Sequence, residues 1–168
     1  MENSEPLEAR DYLRHALATL AYRGSKVLRE APEDFGALRI GDSSRTPAQI
    51  LAHVCDLLDW AASLLNGKEA WRDSTPASWN DDVARFFLAL RAVDDALASP
   101  EPLPCPWPRL FQGPIADALT HVGQLAMLRR AAGAPVRGEN YYKAEIIVGR
   151  VGPDQPPPRR EFATTTPR

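Results

Sequence analysis

Cysteine is nearly absent. Only Cys55 and Cys105 occur in 168 residues, without C-x-x-C spacing. That excludes a disulfide-stapled scaffold and a cysteine-built zinc site, and leaves two reduced thiols, one in a helical stretch and one in a loop. An excess of one charge is missing too. Twenty basic residues against 22 acidic ones give a net charge of −2. With no basic tract interleaved with aromatics, nothing offers to hold nucleic acid by counterion release. No apolar stretch reaches the roughly 20 residues of a membrane span. The opening MENSEPLEARDYLRH is charged where a secretory leader would be apolar. These absences predict a cytoplasmic protein that binds neither nucleic acid nor membrane. No internal repeat occurs. Histidine is scarce as well, limited to His15, His53 and His121, so each can be weighed by its own position.

What is present is helical periodicity. A chain of this length with 44% hydrophobic residues can build one core. The first helix is expected from about Pro6 to Arg29, with Ser4 as N-cap and Leu13, Leu17, Leu20, Gly24, Val27 and Leu28 on one face. The second has the clearest start: Thr46 at N-cap, Pro47 at N1 and Gln49 at N3 form a capping box. It stops at Asn66-Gly67 and carries the stripe Ile50, Val54, Leu57, Ala61 and Leu64. The third is expected from Asn80 to Ser99-Pro100, with Asp81 and Asp82 in its first turn and Val83, Phe86, Phe87, Leu90, Val93 and Leu97 inward. A proline-rich link, SPEPLPCPWPRLFQG, then leads to a fourth helix from Gly113-Pro114 to Gly133. A link that long suggests a crossover. With no alternating strand pattern before residue 140, the expected class is all-α: a four-helix bundle with a long crossover connection. Ile146 to Val148 is a β-prone run, read as a short strand or an extended C-terminal strap. The domain reading is residues 1–150 as bundle plus strap, and residues 151–168 as a proline-rich tail that makes no core by itself.

The three histidines differ. His15 lies nearly opposite the apolar face of the first helix and reads as a surface residue. His53 falls among Ile50, Leu57, Trp60 and Leu64, against the core, where a neutral imidazole needs partners for its nitrogens. His121 follows Asp117 by four residues, so the two stack on one face of the fourth helix with Gln124 and Leu128. Two imidazoles and one carboxylate can hold Zn, Ni or non-haem Fe with open positions. The same pair can also be a hydrogen-bonded imidazole and nothing more.

The residues resemble a known family. ILAHVCDLLDWAASLLNG is similar to the second helix of the DinB-like, damage-inducible bundles, with its apolar-Ala-His motif. HVGQLAMLRR is similar to that family's fourth-helix motif, His-x-Gly-Gln before an apolar run and Arg. Order and separation match over roughly residues 7–133. The resemblance implies a four-helix bundle with crossover connectivity and a three-ligand metal site, one ligand on helix two and two on helix four. His53 and His121 match two of them; Asp117 stands where the family has its third histidine. Some relatives are transferases or isomerases that use a low-molecular-weight thiol.

Two functions follow as expectations. One is a metal-dependent transferase or hydrolase that acts on a small molecule with a low-molecular-weight thiol, with a divalent metal (Zn, Ni or similar) held by His53, Asp117 and His121, and Gln124 fixing an imidazole. The other is a non-catalytic, stress-related binding protein with a vestigial site. Tyr141, Tyr142 and Lys143 line a pocket mouth or pin the strap. Trp71, Trp79, Trp107 and Phe111 form an apolar load outside the four stripes that points to a homodimer.

Overall fold

The computed structural model describes residues 5–163, so the Ser4 cap lies outside the described residues. The chain is all-α, with no strand among those residues. Helix α1 spans Glu5–Leu28, α2 Pro47–Leu65 and α3 Trp79–Ala98. The Thr46 capping box forms as the sequence predicts, with the Thr46 side chain accepting from the Gln49 N–H and the Gln49 side chain accepting from the Thr46 N–H. Helix α3 begins one residue earlier than expected. Ser78 caps it by accepting from the Asp81 N–H at 3.1 Å.

The fourth helical stretch differs from expectation. It starts inside the proline-rich link: α4 spans Trp107–Leu110, a π turn spans Phe111–Ile115, and α5 spans Ala116–Ala131. Pro108 lies in the first turn of α4, where its missing N–H leaves nothing unpaired. Pro114 lies inside the stretch. It cannot donate to the i−4 carbonyl and its ring crowds that oxygen, so the turn widens. The link thus shrinks to residues 99–106.

Helix α2 packs against α3 and α5, and α1 packs against the same two. Helix α1 thus stands diagonal to α2, and α3 diagonal to α5. The links 29–46 and 99–106 run between diagonal partners, whereas 66–78 joins neighbours. The shared core holds Leu13, Leu17, Leu20, Leu51, Leu58, Phe86, Leu90, Leu125 and their neighbours. Gly24 of α1 lies directly against Phe86 of α3. A Cβ added at Gly24 would lie 2.6 Å from Cζ of Phe86. By length and composition α2 could cross a membrane, but more than half of it is buried against the other helices. It also carries His53, Asp56 and Asp59.

Two arginines close helix ends. Arg129 is buried and donates to the carbonyls of Val27 at 2.6 Å, Arg29 at 3.0 Å and Glu30 at 3.3 Å, capping the C-terminus of α1. Arg10 does the same for α3 through Leu97, Ser99 and Glu101. Each places a cation where the helix dipole and the orphan carbonyls favour one.

Ile146 to Val148 forms no strand. The C-terminal segment is irregular apart from a 3-10 turn at Tyr141–Lys143 and an isolated antiparallel bridge between Glu139 and Glu161. Residues 151–163 do not hang free as a separate tail. Val151 is fully buried, and Ser25 donates to the Pro153 carbonyl. Lys26 pairs with both Glu139 and Glu161 at 2.9 Å. Tyr141 packs edge-on to Tyr22 and beneath the Arg23 guanidinium. So Tyr141 pins the segment to α1, while Tyr142 points outward, 96% exposed. Neither lines a pocket mouth.

Trp79 also departs from expectation. It packs edge-on to the buried Phe35 at 5.3 Å rather than adding to an outer apolar surface. Trp71, Trp107 and Phe111 are exposed.

Candidate metal centre

The structure brings His53, Asp117 and His121 together from sites more than 60 residues apart in sequence. One ligand atom from each lies within 4.8 Å of the other two. The reason is the seam between α2 and the fourth helical stretch. His53 is one turn and a half into α2, on the face turned to α5, and Asp117 and His121 are stacked one turn apart on α5. The Asp117 carboxylate is the hub. Its Oδ1 is 3.2 Å from Nδ1 of His121 and its Oδ2 is 3.7 Å from Nε2 of His53. The two imidazoles stand edge-on to each other with centroids 4.8 Å apart.

The tautomer of His121 follows from its partner. Nδ1 lies 2.9 Å from the Asp117 carbonyl oxygen. A carbonyl can only accept, so Nδ1 carries the proton, and in the neutral ring the lone pair is then on Nε2. That is the arrangement in which a backbone carbonyl orients a ligating histidine. Burial, with the His121 ring and Arg45 adding to it, pulls His53 below the usual histidine value, which favours its neutral, ligating form.

Donor type and spacing can be tested against a metal. Bonds of about 2.0–2.2 Å to nitrogen and oxygen put neighbouring donor atoms roughly 3–3.5 Å apart. The 3.2 Å contact uses the Nδ1 of His121 that bears the proton and so is not a ligand pair; the 3.7 Å contact between Asp117 and His53 is near this spacing and needs a small rotation of a carboxylate whose side chain is 45% exposed. Two imidazoles and one carboxylate suit Zn, Ni or Fe and leave positions open for an exogenous ligand. The cluster could therefore hold a divalent ion. Solvent reaches it from one side, where His53 lines a cleft of about 310 Å³ with Arg45, Gln49, Asp73 and Ser74.

Below the site, Asp56 accepts from the Ser74 N–H at 2.8 Å, the Ser74 hydroxyl at 2.6 Å and Arg85 at 2.6 Å. Asp56 thereby ties the link 66–78 to α2 and is fully engaged. Trp71, carried by that link, stands edge-on to His53 at 5.8 Å and to Trp60 at 5.8 Å. Periodicity places Trp71 on no helix face; nothing in the sequence joins it to His53 except the serine and aspartate that anchor its loop.

Gln124 is exposed and contacts neither imidazole through a hydrogen bond among the described residues, so the supporting role expected for it falls to the Asp117 carbonyl. His15 is exposed on α1, away from the cluster. Burial pushes the Cys55 thiol up to about 12 and raises that of Cys105, which keeps both protonated at neutral pH. No family model, curated protein or solved structure matches the chain.

Proposed function

We propose that this chain is a DinB-like four-helix bundle with crossover connectivity and a C-terminal strap, and that it binds a divalent metal, Zn or Ni, through His53, Asp117 and His121. The observation that carries this reading is the convergence of the three side chains, with one imidazole already held in the tautomer that a metal needs. The activity proposed is transfer or hydrolysis on a small molecule by means of a low-molecular-weight thiol. A bound divalent ion would lower the pKa of a ligating thiol and supply thiolate at neutral pH. Both thiols of the chain are protonated and at least partly buried, which favours a thiol supplied from outside. His53 and His121 bind, Asp117 bridges them, and Asp56 with Ser74 keeps Trp71 over the site.

The test is metal content. Protein purified without an affinity tag should carry stoichiometric metal, and Asp117→Ala should lose it. Equal metal in both overturns the site. The second reading is a non-catalytic binding protein with a vestigial centre, and the exposure of the Asp117 carboxylate favours it. Metal-free protein that shows no thermal shift with Zn, Ni, Mn or Fe selects that reading.

We further propose a homodimer, supported by the exposed Trp107 and Phe111 at the start of the fourth stretch. Light scattering that gives a monomer mass at about tens of micromolar overturns it.

A further inference from the structure

The seam that holds the triad continues beyond it. Helix α2 and the fourth stretch run antiparallel there: His53 faces Asp117 and His121, while Trp60, two turns on, faces Gly113. Seven helical residues put Trp60 roughly 10 Å along the axis from His53. Beside Trp60 the seam opens into a cleft of about 470 Å³, walled by Trp60, Leu64, Pro104, Cys105, Leu110 and Gly113, with Glu69 and Arg109 at its edge. That volume lies within the roughly 300–1,000 Å³ of small-molecule sites.

Apolar surface outweighs polar in the cleft, whose polar side chains are Glu69, Arg109 and Gln112. The Trp60 indole N–H is already used, donating to Glu69 at 3.2 Å, so the ring offers its carbon surface to the cleft. The Cys105 thiol is held protonated by burial and acts as wall, not nucleophile. Leu64 packs against the core and is only partly buried because its outer side lines this cleft. Two features hold the space open. A Cβ at Gly113 would stand 3.6 Å from the Trp60 ring, so a larger side chain there would fill the mouth. The π turn, forced by Pro114, widens the helix at the same point. Trp71 packs edge-on to His53 and to Trp60, each at 5.8 Å, and so links the metal centre to the ring that walls the cleft.

We propose that this cleft is a substrate subsite. It receives an aromatic or apolar tail whose metal-seeking head group lies at the His53–Asp117–His121 centre, about 10 Å away by helical rise. The inference rests on the metal reading above and adds the substrate class: a molecule with a ligating group at one end and a flat apolar group at the other.

The probe is a series of phenylalkyl hydroxamates with arms of roughly one to six methylenes, compared with acetohydroxamate. Binding is read from the visible spectrum of the full-length protein loaded with cobalt. The affinity should peak at the arm that sets the ring about 10 Å from the chelating group, at least about tenfold above acetohydroxamate. Trp60→Ala and, independently, Gly113→Leu should each erase that peak and leave acetohydroxamate affinity unchanged. Trp107→Ala, on α4 but outside the cleft walls, should keep it. An affinity that is flat, or that rises evenly with each methylene as generic apolar burial would, overturns the subsite while cobalt binding stands. So does a peak that survives both cleft variants. Failure of cobalt to bind overturns the metal reading and the subsite with it.

Discussion

Two clusters of ionisable side chains bring distant parts of the chain together, and they are finished to different degrees. Against α1, the buried Glu139 of the C-terminal segment accepts from the Tyr22 hydroxyl at 2.7 Å and the Lys26 ammonium at 2.9 Å, while Lys26 also pairs with Glu161. Between α2 and α5, His53, Asp117 and His121 are half-buried, and their contacts of 3.2 and 3.7 Å fall short of a closed hydrogen-bonded set. The first cluster has a partner for each charge and admits nothing more. The second keeps a lone pair on His121 and an exposed carboxylate edge. Saturation marks a clamp; unfinished coordination marks a place for chemistry.

The sharpest way to break that contrast is to remove a histidine. His53→Ala or His121→Ala should abolish metal binding and the metal-induced rise in melting temperature, and His15→Ala should change neither. A thermal shift that survives both substitutions would put the metal elsewhere. The reciprocal test is Glu139→Ala, which leaves the buried Lys26 with only the part-exposed Glu161 and takes away the acceptor of the Tyr22 hydroxyl; it should cost about 3 kcal/mol in urea denaturation, the low end for breaking a buried pair, with metal content unchanged. A loss under about 1 kcal/mol would mean that the clamp does not hold the C-terminal segment.

Next in size is the response to pH. His53 titrates below its ordinary value in the fold, chiefly through burial. The unfolded chain therefore takes up that proton first, and stability of the metal-free protein should fall as pH drops below about 6.5. Metal affinity should fall over the same window, because imidazolium does not ligate. The clamp responds elsewhere. Burial lowers the Lys26 ammonium, but its bonds to Glu161 and Glu139 outweigh that and raise it. Its contribution is present at neutral pH and lost only as pH climbs through that raised value. The Lys26 bond holds Glu161 below the usual glutamate value, so its contribution is lost only in stronger acid. Between about pH 5 and 9 only the triad should respond. A metal affinity flat from pH 7.5 to 5.5 would remove the histidines from the site. The smallest effect expected is that of Tyr22→Phe, about 1 kcal/mol for one hydrogen bond to a buried carboxylate, read by the same urea titration.

The triad was legible in the sequence and the clamp was not, for a physical reason. His53, Asp117 and His121 lie on helices whose faces periodicity defines; periodicity did not join the two faces, and it was the resemblance to the DinB-like bundles that implied a single site. Glu139 lies in an irregular segment 113 residues from Lys26, and no period reports on such a pairing. The Thr46 box and the end at Gly67 follow from local chemistry and form as read. The start at Trp107 was missed because Pro106 and Pro108 signal a break, although proline in a first turn is also a start signal. Arg129 looked like the end of an apolar motif; its four bonds to carbonyls of the loop and of α1 depend on where α1 stops, which a neighbouring helix decides.

The π turn has a consequence for descent. It accommodates one residue more than a regular α-helical turn would. Deleting a single residue between 111 and 115 would return the turn to regular α-helix, with Leu110 and Arg109 before it and Asp117 and His121 after it keeping their faces. What would be lost is the local widening of the helix beside Trp60. A change in length at that turn rewrites the cleft and spares the metal ligands, and a side-chain replacement at Asp117 does the reverse. The two halves of the seam can therefore be inherited, lost or exchanged independently.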